Sequence, residues 1–337
     1  MTARWLPARA AFDWHEGVRA ACACTLMLVL GWTLGIPDFS WAAIGAFWTG
    51  LAVVPGPVRR RLAAMGAFAL CSTAGAALAT WLAGRGLGAG TLAVLLVAGA
   101  AGLARRWGAQ ASQVGILAAT AFVVAIERPV PVAAPYAFLV FHAGGCLGAA
   151  LLAALYWRVA PPAATAAPGP LPETGPPAHF AARLGSATAL AYLAVHVLRL
   201  DFPYWATMTV LLVLQPSVSG TLPRNLERAI GTVLGTVVAM GVGLVARTPW
   251  AIALAVFPLV GLTMALRAHS YRLFVLFLTP AFVLVADFGA PVAGPAYALA
   301  RLEDNLVGCL IAFLAMLLLW PTGGPAGWAH ERRGRSS

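Results

Sequence analysis

The chain has 337 residues, of which 61% are hydrophobic and only 10% are charged. A typical soluble domain has about 25% charged residues, so a soluble fold could not bury this much apolar surface. The net charge of +11 comes entirely from arginine, and the arginines lie between apolar runs rather than along one polar face, which argues against a nucleic-acid partner.

Twelve apolar runs follow one another along the chain, six in each half, and several approach the ~20 residues that a helix needs to cross a membrane. In the first half they lie at about 17–36, 40–57, 62–83, 89–105, 111–126 and 134–157. In the second half they lie at about 181–200, 204–219, 228–246, 250–267, 271–286 and 299–320. We therefore predict an all-α, polytopic membrane protein with about 12 transmembrane helices.

Polar and proline-rich segments divide these runs into domains. We predict a first six-helix transmembrane repeat over 1–159 and a second over 180–321, joined by a Pro/Gly/Ala-rich cytoplasmic linker at 160–179. A basic cytoplasmic tail is predicted at 322–337, and no removable signal peptide is expected before the first span. Most of the 22 arginines fall in loops on one side of the membrane when the N-terminus is cytoplasmic, so both termini are predicted to be cytoplasmic.

The two halves share landmark residues at nearly constant spacing. These pairs, at offsets of 160 to 165 residues, are Trp41 and Trp205, Arg59 and Arg224, Gly66 and Gly231, and Glu127 and Asp287. Because each half has an even number of spans, both copies should cross the membrane in the same orientation. The prediction is therefore two parallel six-helix repeats.

The second half carries a family resemblance. The run DFPYWATMTVLLVLQPSVSGTLPRNLERAIGTVLGT and the run RLEDNLVGCLIAFLAMLLLWP at 301–321 resemble the fusaric acid resistance-like (FUSC) family, within the aromatic acid exporter superfamily. The first half keeps a degenerate copy, GIPDFSWAAIGAFWTGLAVVPGPVRRRLAAMGAF, without the Gln-Pro pair. The resemblance implies an efflux protein for aromatic carboxylic acids in the bacterial cytoplasmic (inner) membrane, with a periplasmic adaptor protein as an implied partner.

Breaks at matching places in the two halves indicate a substrate path. Span two ends in Val54-Pro55-Gly56-Pro57, and span eight carries Gln215-Pro216. A broken helix exposes backbone groups that must face protein or a polar cavity, and Gln215 is costly to bury in lipid unless it is paired. Gln215 is therefore a candidate substrate ligand, although a helix that ends near the membrane surface explains the same pattern.

Two arginines follow this break. Arg224 and Arg228 are four residues apart, on one helix face, and lead into Gly231-xxx-Gly235, where another helix can approach closely. A substrate carboxylate could form a bidentate pair with either guanidinium. Cytoplasmic anchoring is the alternative for both, and the arginines at 59–61 are expected to set topology rather than to bind substrate.

Three aromatic residues are candidates for substrate stacking. Trp41, Trp205 and Tyr204 lie at the start of spans two and eight. Their rings could stack on an aromatic acid. Because Trp and Tyr are also enriched at membrane interfaces, simple anchoring is the alternative.

Acidic residues are few and lie near the predicted periplasmic ends of the spans. Glu127 and Asp287 occupy matching places, and with Asp201 they are candidates for proton coupling. Solvated loops or helix caps are the alternative roles. The acidic residues at 303–304 are expected to pair with Arg301.

The chain has no G-x-x-x-x-G-K-[ST] phosphate loop, no H-E-x-x-H zinc site and no G-x-S-x-G nucleophile elbow, so no enzyme activity, cofactor or metal site is predicted. Without a nucleotide site, uphill export would have to use an ion gradient. We predict a proton-coupled exporter of aromatic or other organic carboxylic acids, with an organic anion and membrane lipid as partners. A passive organic-anion channel and a non-transporting accessory protein stay open, and the sequence makes no prediction of the oligomeric state.

Overall fold

The computed structural model describes residues 12–128, 136–162, 176–289 and 294–319, and within these ranges it contains helices and no strand. A short 3-10 turn, Ala104–Trp107, follows the fourth helix. The helices are α1 (Trp14–Leu34), α2 (Phe39–Leu51), α3 (Val58–Leu82), α4 (Leu87–Leu103), α5 (Ala109–Glu127), α6 (Ala137–Val159), α7 (Pro177–Leu198), α8 (Tyr204–Val213), α9 (Val218–Val245), α10 (Pro249–Leu266), α11 (Tyr271–Gly289) and α12 (Gly294–Leu319).

Every predicted span falls on one of these helices, so the all-α, polytopic membrane architecture is confirmed. Among the described residues, nine helices are long and apolar enough to cross a membrane. Two helices are much shorter: α2 has 13 residues and α8 has 10. At 1.5 Å per residue they are about 20 and 15 Å long, which is less than the ~30 Å hydrocarbon core.

The predicted ends of spans two and eight are wrong. α2 ends at Leu51 rather than near 57, because the prolines at 55 and 57 cannot donate backbone hydrogen bonds to a helix. α8 ends at Val213, so Gln215-Pro216 lies in the connection to α9 and not within a span. Leu214 is already extended, with φ −62° and ψ 127°. Both short helices are therefore followed by non-helical backbone.

The predicted start of span nine is also wrong. α9 begins at Val218 and not near 228, because Ser217 caps it: the Ser217 hydroxyl accepts a 3.1 Å hydrogen bond from the Gly220 amide. Charged residues in the first three turns of α9 lower its hydropathy, so a hydropathy pattern alone places the start of the helix too late. As a result, both Arg224 and Arg228 lie well inside a helix.

The described residues cover the predicted domains unevenly. α7 begins at Pro177, inside the predicted linker at 160–179, while residues 163–175 of that linker lie outside the described residues. The predicted tail at 322–337 also lies outside them. The division into two repeats stays a prediction.

The two halves of the chain interleave. α2 packs on α6 and α8 packs on α12, while α3 packs on α5 and α9 packs on α11. α1 packs on α10 and α7 packs on α4, so the first helix of each half contacts the fourth helix of the other half. α5 contacts α8, and α11 contacts α2. Each short helix therefore has neighbours from both halves.

The short helices lie at the centre of the protein. Every residue of α2 from Ala42 to Leu51 is buried, and so is every residue of α8 except Leu212. Glycines let the neighbouring helices approach closely: a Cβ atom at Gly145 of α6 would lie 1.9 Å from the carbonyl oxygen of Ala42. The connections that leave α2 and α8 begin inside the protein, at the buried residues Ala52, Val53 and Leu214, where their backbone groups need partners.

Candidate functional site

A cavity lies where α2 ends, and we call it the basic cavity. Its volume is about 380 Å³, within the range of roughly 300–1,000 Å³ that is typical of small-molecule sites. Both halves of the chain contribute to its walls. Its charged and polar lining residues are Asp13, Glu16, Arg61, Gln113, Arg224, Arg267 and Tyr271.

The acidic residue Glu16 is fully engaged by two arginines of its own half. Arg19 donates to Oε2 of Glu16 over 2.8 Å, and Arg61 donates to Oε1 over 3.1 Å. Both arginines are buried, and both lie within 6 Å of the Trp157 ring centroid, at 5.2 and 5.8 Å. Glu16 therefore pairs directly with the two arginines of its own half, and both of its oxygens accept hydrogen bonds from them.

The other two arginines of the basic cavity form no ion pair among the described residues. Arg267 donates instead to the carbonyl oxygens of Gly50 and Leu51, over 3.3 and 3.2 Å, and to that of Val53. Burial lowers the pKa of Arg267 while Glu16 opposes that shift, and arginine keeps its charge at neutral pH. Arg224 donates to the carbonyl of Leu212 over 2.8 Å. Two cations therefore face the cavity with neutral partners.

The two arginines that were predicted to act together have different surroundings. Arg224 lines the basic cavity and lies 4.1 Å from the Tyr271 ring centroid. Arg228 is buried between helices, where its Nη2 donates to Asn305 of α12 over 3.0 Å. Its Nε and Nη1 atoms have no hydrogen-bond partner in the described ranges. The structure does not bring the two guanidinium groups to one site.

A third arginine of the second half, Arg301, is also fully buried. Its guanidinium carbon lies 3.8 Å from the Trp205 ring centroid, and it donates to the carbonyl of Thr279. The expected ion pair with the acidic residues at 303–304 is wrong for the described part of the chain. Burial of Arg301 against Trp205 explains the difference, because the side chain points into the bundle instead of toward a polar loop.

The three predicted aromatic residues come together around a second, much smaller cavity, which we call the aromatic cavity. Trp41 of α2 and Tyr204 and Trp205 of α8 line it, together with Phe282 of α11 and Tyr297 of α12. Its volume is about 20 Å³, room for about one water molecule and far below the roughly 300–1,000 Å³ of small-molecule sites. The aromatic cavity is therefore closed to any organic acid in this conformation.

The predicted proton-coupling residues are placed differently from one another. Glu127 ends α5 and is buried; its Oε1 accepts a 2.6 Å hydrogen bond from Thr207 of α8, and its Oε2 has no hydrogen-bond partner in the described structure. Asp201 is exposed in the connection before α8. Asp287 is in α11, but its side chain lies outside the described residues. Glu127 thus links the first half to the short helix of the second.

Gln215 lines neither of the two cavities. Its backbone amide donates to the Thr221 hydroxyl over 3.0 Å, and its side-chain amide donates to the carbonyl of Leu214 over 3.0 Å. These two bonds give partners to the Gln215 backbone amide and to the Leu214 carbonyl in the connection after α8. The structure therefore places Gln215 at the predicted break but away from the cavities.

Sequence reasoning missed Arg61, Arg267 and Glu16 as residues of the basic cavity. Arg61 belongs to a run of three arginines, in which burial of one member cannot be recognised from composition. Arg267 ends one span and contacts the end of another more than 200 residues earlier. An available signal was Glu16, an acidic residue at the start of an apolar span, since such residues need a partner.

Comparison with known proteins gives a match for the second half of the chain. Residues 190–315 match the family described as fusaric acid resistance protein-like. The uncharacterized protein YhfK of Escherichia coli is 34% identical over 145 residues, which are 42% of this chain and 20% of that protein. The inner membrane protein YccS of E. coli is 30% identical over 143 residues, 42% of this chain and 19% of that protein.

A similar match is found outside E. coli. The uncharacterized protein ORF2 of Neisseria gonorrhoeae is 32% identical over 146 residues, which are 42% of this chain and 34% of that protein. The matched region is therefore between 19% and 34% of the length of each of these curated relatives. No solved structure matches the chain. The chain is a multi-pass membrane protein, and its resemblance to the fusaric acid resistance protein-like family is confirmed over residues 190–315.

Proposed function

We propose that this protein is an inner-membrane secondary transporter that exports organic carboxylic acids, aromatic ones among them, and that the proton gradient drives it. The basic cavity carries this proposal. It has the volume of a small-molecule site, and two of its three arginines, Arg224 and Arg267, donate hydrogen bonds to backbone carbonyls and form no ion pair among the described residues. A substrate carboxylate would give these two guanidinium groups a charged hydrogen-bond partner.

The placement of the cavities supports a path along the short helices. α2 lines the aromatic cavity at Trp41, Ile44 and Trp48 and the basic cavity at Leu51, so the two cavities follow one another along this helix. In our proposal the basic cavity faces the cytoplasm, both termini are cytoplasmic, and the closed aromatic cavity is the periplasmic barrier. The helix contacts, which recur at an offset of six helices, support two parallel repeats.

Proton coupling is assigned to Glu127. The carboxyl is buried, belongs to the first half and accepts a hydrogen bond from α8 of the second half. A change in its charge would alter the contact between the two halves, because a buried carboxylate needs partners that a neutral carboxyl does not.

A passive organic-anion channel is the second candidate. It is favoured by Arg228 and Arg301, two buried guanidinium groups that form no ion pair within the described ranges. Such groups would stabilise an anion along an open path and need no proton. The two candidates differ in energetics and can be separated by one experiment.

The experiment is uptake of radiolabelled benzoate into proteoliposomes. The exporter predicts that benzoate accumulates against its concentration gradient only when a pH gradient is imposed. Flux that follows voltage and concentration alone would instead establish the channel, and no flux in either condition would reject both candidates.

A matched pair of variants ties the flux to the basic cavity. Arg224→Gln should reduce benzoate flux about tenfold or more, as expected for losing a charged hydrogen bond worth about 1.5–3 kcal/mol. Arg158→Gln removes an exposed arginine of α6 that lines neither cavity and should leave flux unchanged. Equal flux in the two variants would contradict the assignment of the basic cavity.

A further inference from the structure

We propose that Arg267 is a positioning residue that transmits anion binding to helix α2. The same guanidinium donates hydrogen bonds to the carbonyl groups at the end of that helix and lines the basic cavity. The inference rests on the proposed function and adds a residue to it. The observation behind it is that a short helix ends inside the protein, where its last carbonyl groups need hydrogen-bond donors.

The end of α2 has carbonyl groups that its own helix does not satisfy. The last four carbonyls of any helix lack intrahelical partners, and inside a membrane protein each needs another donor. At the end of α2 the amides of Ala52 and Val53 bond back to Trp48 and Gly50. The carbonyls of Leu51 and Val53 depend on side chains.

Arg267 provides most of these donors from the other half of the chain. Its two terminal nitrogens donate to three carbonyls, those of Gly50 and Leu51 at the end of α2 and that of Val53 in the connection. Gln113 donates to the Leu51 carbonyl over 3.2 Å. The end of α2 is thus held by a cation at the end of α10, and this cation lines the basic cavity.

A carboxylate in the cavity would be a stronger partner for Arg267 than these carbonyls. In an arginine–carboxylate pair both partners carry charge, and two parallel N–H groups bind the two oxygens together. Because both terminal nitrogens of Arg267 donate to the end of α2, a carboxylate that binds these two nitrogens in a bidentate pair competes with those carbonyls and draws the guanidinium away from them. The end of α2 is then released.

The end of α8 has a related arrangement. Arg224 lines the same cavity and donates to the Leu212 carbonyl, one residue before α8 ends. An anion between Arg224 and Arg267 would therefore act on both short helices at once. Since α2 and α8 also line the aromatic cavity, binding at one cavity would change the packing at the other.

The test is hydrogen–deuterium exchange of the purified full-length protein with and without benzoate. We expect saturating benzoate to speed exchange of the amides of Ala52 and Val53 by about fivefold or more, the lower end of typical coupling between two sites. Benzamide has the same ring without the charge and should cause no change. This comparison needs no variant.

Variants then assign the effect to Arg267. In Arg267→Gln, exchange at Ala52 and Val53 should already be fast without ligand, and benzoate should no longer change it. Arg158→Gln should respond as the unmodified protein does. A merely structural role for Arg267 would raise the basal exchange and leave the benzoate response in place, and that result would overturn the inference.

The outcomes separate this inference from the proposed function. If benzoate neither binds nor is transported, both are wrong. If benzoate binds and is transported while exchange at Ala52 and Val53 stays constant or slows, the proposed function survives and the positioning role of Arg267 is rejected.

Discussion

The two short helices are packed in the same way but surrounded by different chemistry. Gly145 of α6 lies against Ala42 of α2, and Gly308 of α12 lies against Ala206 of α8, where a Cβ atom would be 2.5 Å from the carbonyl oxygen. Beside the first contact the buried polar side chains are neutral. Beside the second they include a buried guanidinium.

The neutral cluster of the first half consists of His142, Ser72 and Cys146. The His142 ring nitrogen Nε2 lies 3.0 Å from the Ser72 hydroxyl and 3.5 Å from the Cys146 sulfur. The corresponding place in the second half holds Arg228 and Asn305, joined by a 3.0 Å hydrogen bond. Close packing is therefore common to both glycine contacts, while among the residues named at these two contacts a buried positive charge is found only beside the second, since the buried arginines of the first half, Arg19 and Arg61, pair with Glu16 instead.

The shared packing can be broken most severely at the glycine contacts. Gly145→Ala places a Cβ atom 1.9 Å from the Ala42 carbonyl oxygen, so α2 and α6 must separate. Overpacking of this kind costs about 1–3 kcal/mol, and we expect a matching loss of thermal stability in detergent. Gly144→Ala is the matched control, because nothing lies within 4 Å of its added Cβ. Equal stability of the two variants would contradict the close approach.

The difference in charge is tested by Arg228→Met. If this guanidinium stabilises a passing anion, benzoate flux should fall about tenfold or more, the effect of a charged hydrogen bond worth about 1.5–3 kcal/mol. Stability should not fall, because an apolar side chain avoids the cost of a buried charge. In the first half, Ser72→Ala should cost about 1 kcal/mol of stability and leave flux unchanged. Equal flux in both variants would remove the functional distinction between the halves.

The matching tryptophans, Trp41 and Trp205, also differ in the arginine that each contacts. Arg301 is buried and lies 3.8 Å from the Trp205 ring centroid, while Arg128 lies 4.1 Å from that of Trp41 and 3.9 Å from a carboxyl oxygen of Asp38. Cation–π contacts are worth about 2 kcal/mol when desolvated and about 0.5–1 kcal/mol near solvent. We therefore expect Trp205→Phe to lower thermal stability more than Trp41→Phe. The opposite order would contradict the burial of Arg301.

The smallest expected effect concerns the contact between Glu127 and α8. Thr207→Val removes the hydroxyl that donates to the Glu127 carboxyl, at a cost of about 1 kcal/mol. If Glu127 carries the proton, uptake driven by a pH gradient should slow by about fivefold while benzoate exchange at equal pH continues. Thr188→Val is the control, since among the described residues that hydroxyl donates to the Leu184 carbonyl of its own helix and not to a neighbouring helix. Equal slowing of both processes would count against proton coupling at Glu127.

The helices and their order could be predicted from the sequence because long apolar runs leave few alternatives in a membrane. The ends of α2 and α8 could not, since hydropathy continues to residue 57 in one case and to 219 in the other while the backbone hydrogen bonds stop earlier. A proline follows each helix, Pro55 after α2 and Pro216 after α8, and explains why each helix ends before its predicted span does. The pattern of apolar residues reports burial in lipid, and it does not report where a helix ends within the protein.

The candidate site was predicted only in part for a related reason. Tyr204, Trp205 and Trp41 meet because they begin helices that pack near one another, which the repeat offset already indicated. Arg267 meets α2 through a contact between the fourth helix of one half and the second helix of the other. Such a contact depends on how the helices of the two halves pack together, and it cannot be predicted from the spacing of residues along the chain.

The most direct measurement of the central claim is a structure of the protein determined with 4-iodobenzoate, whose iodine atom can be located by its strong scattering. The account predicts that the carboxylate lies between Arg224 and Arg267 in the basic cavity, with the ring toward Tyr271. A protein that transports 4-iodobenzoate but binds it elsewhere, with both arginines still bonded to the ends of α8 and α2, would contradict the account.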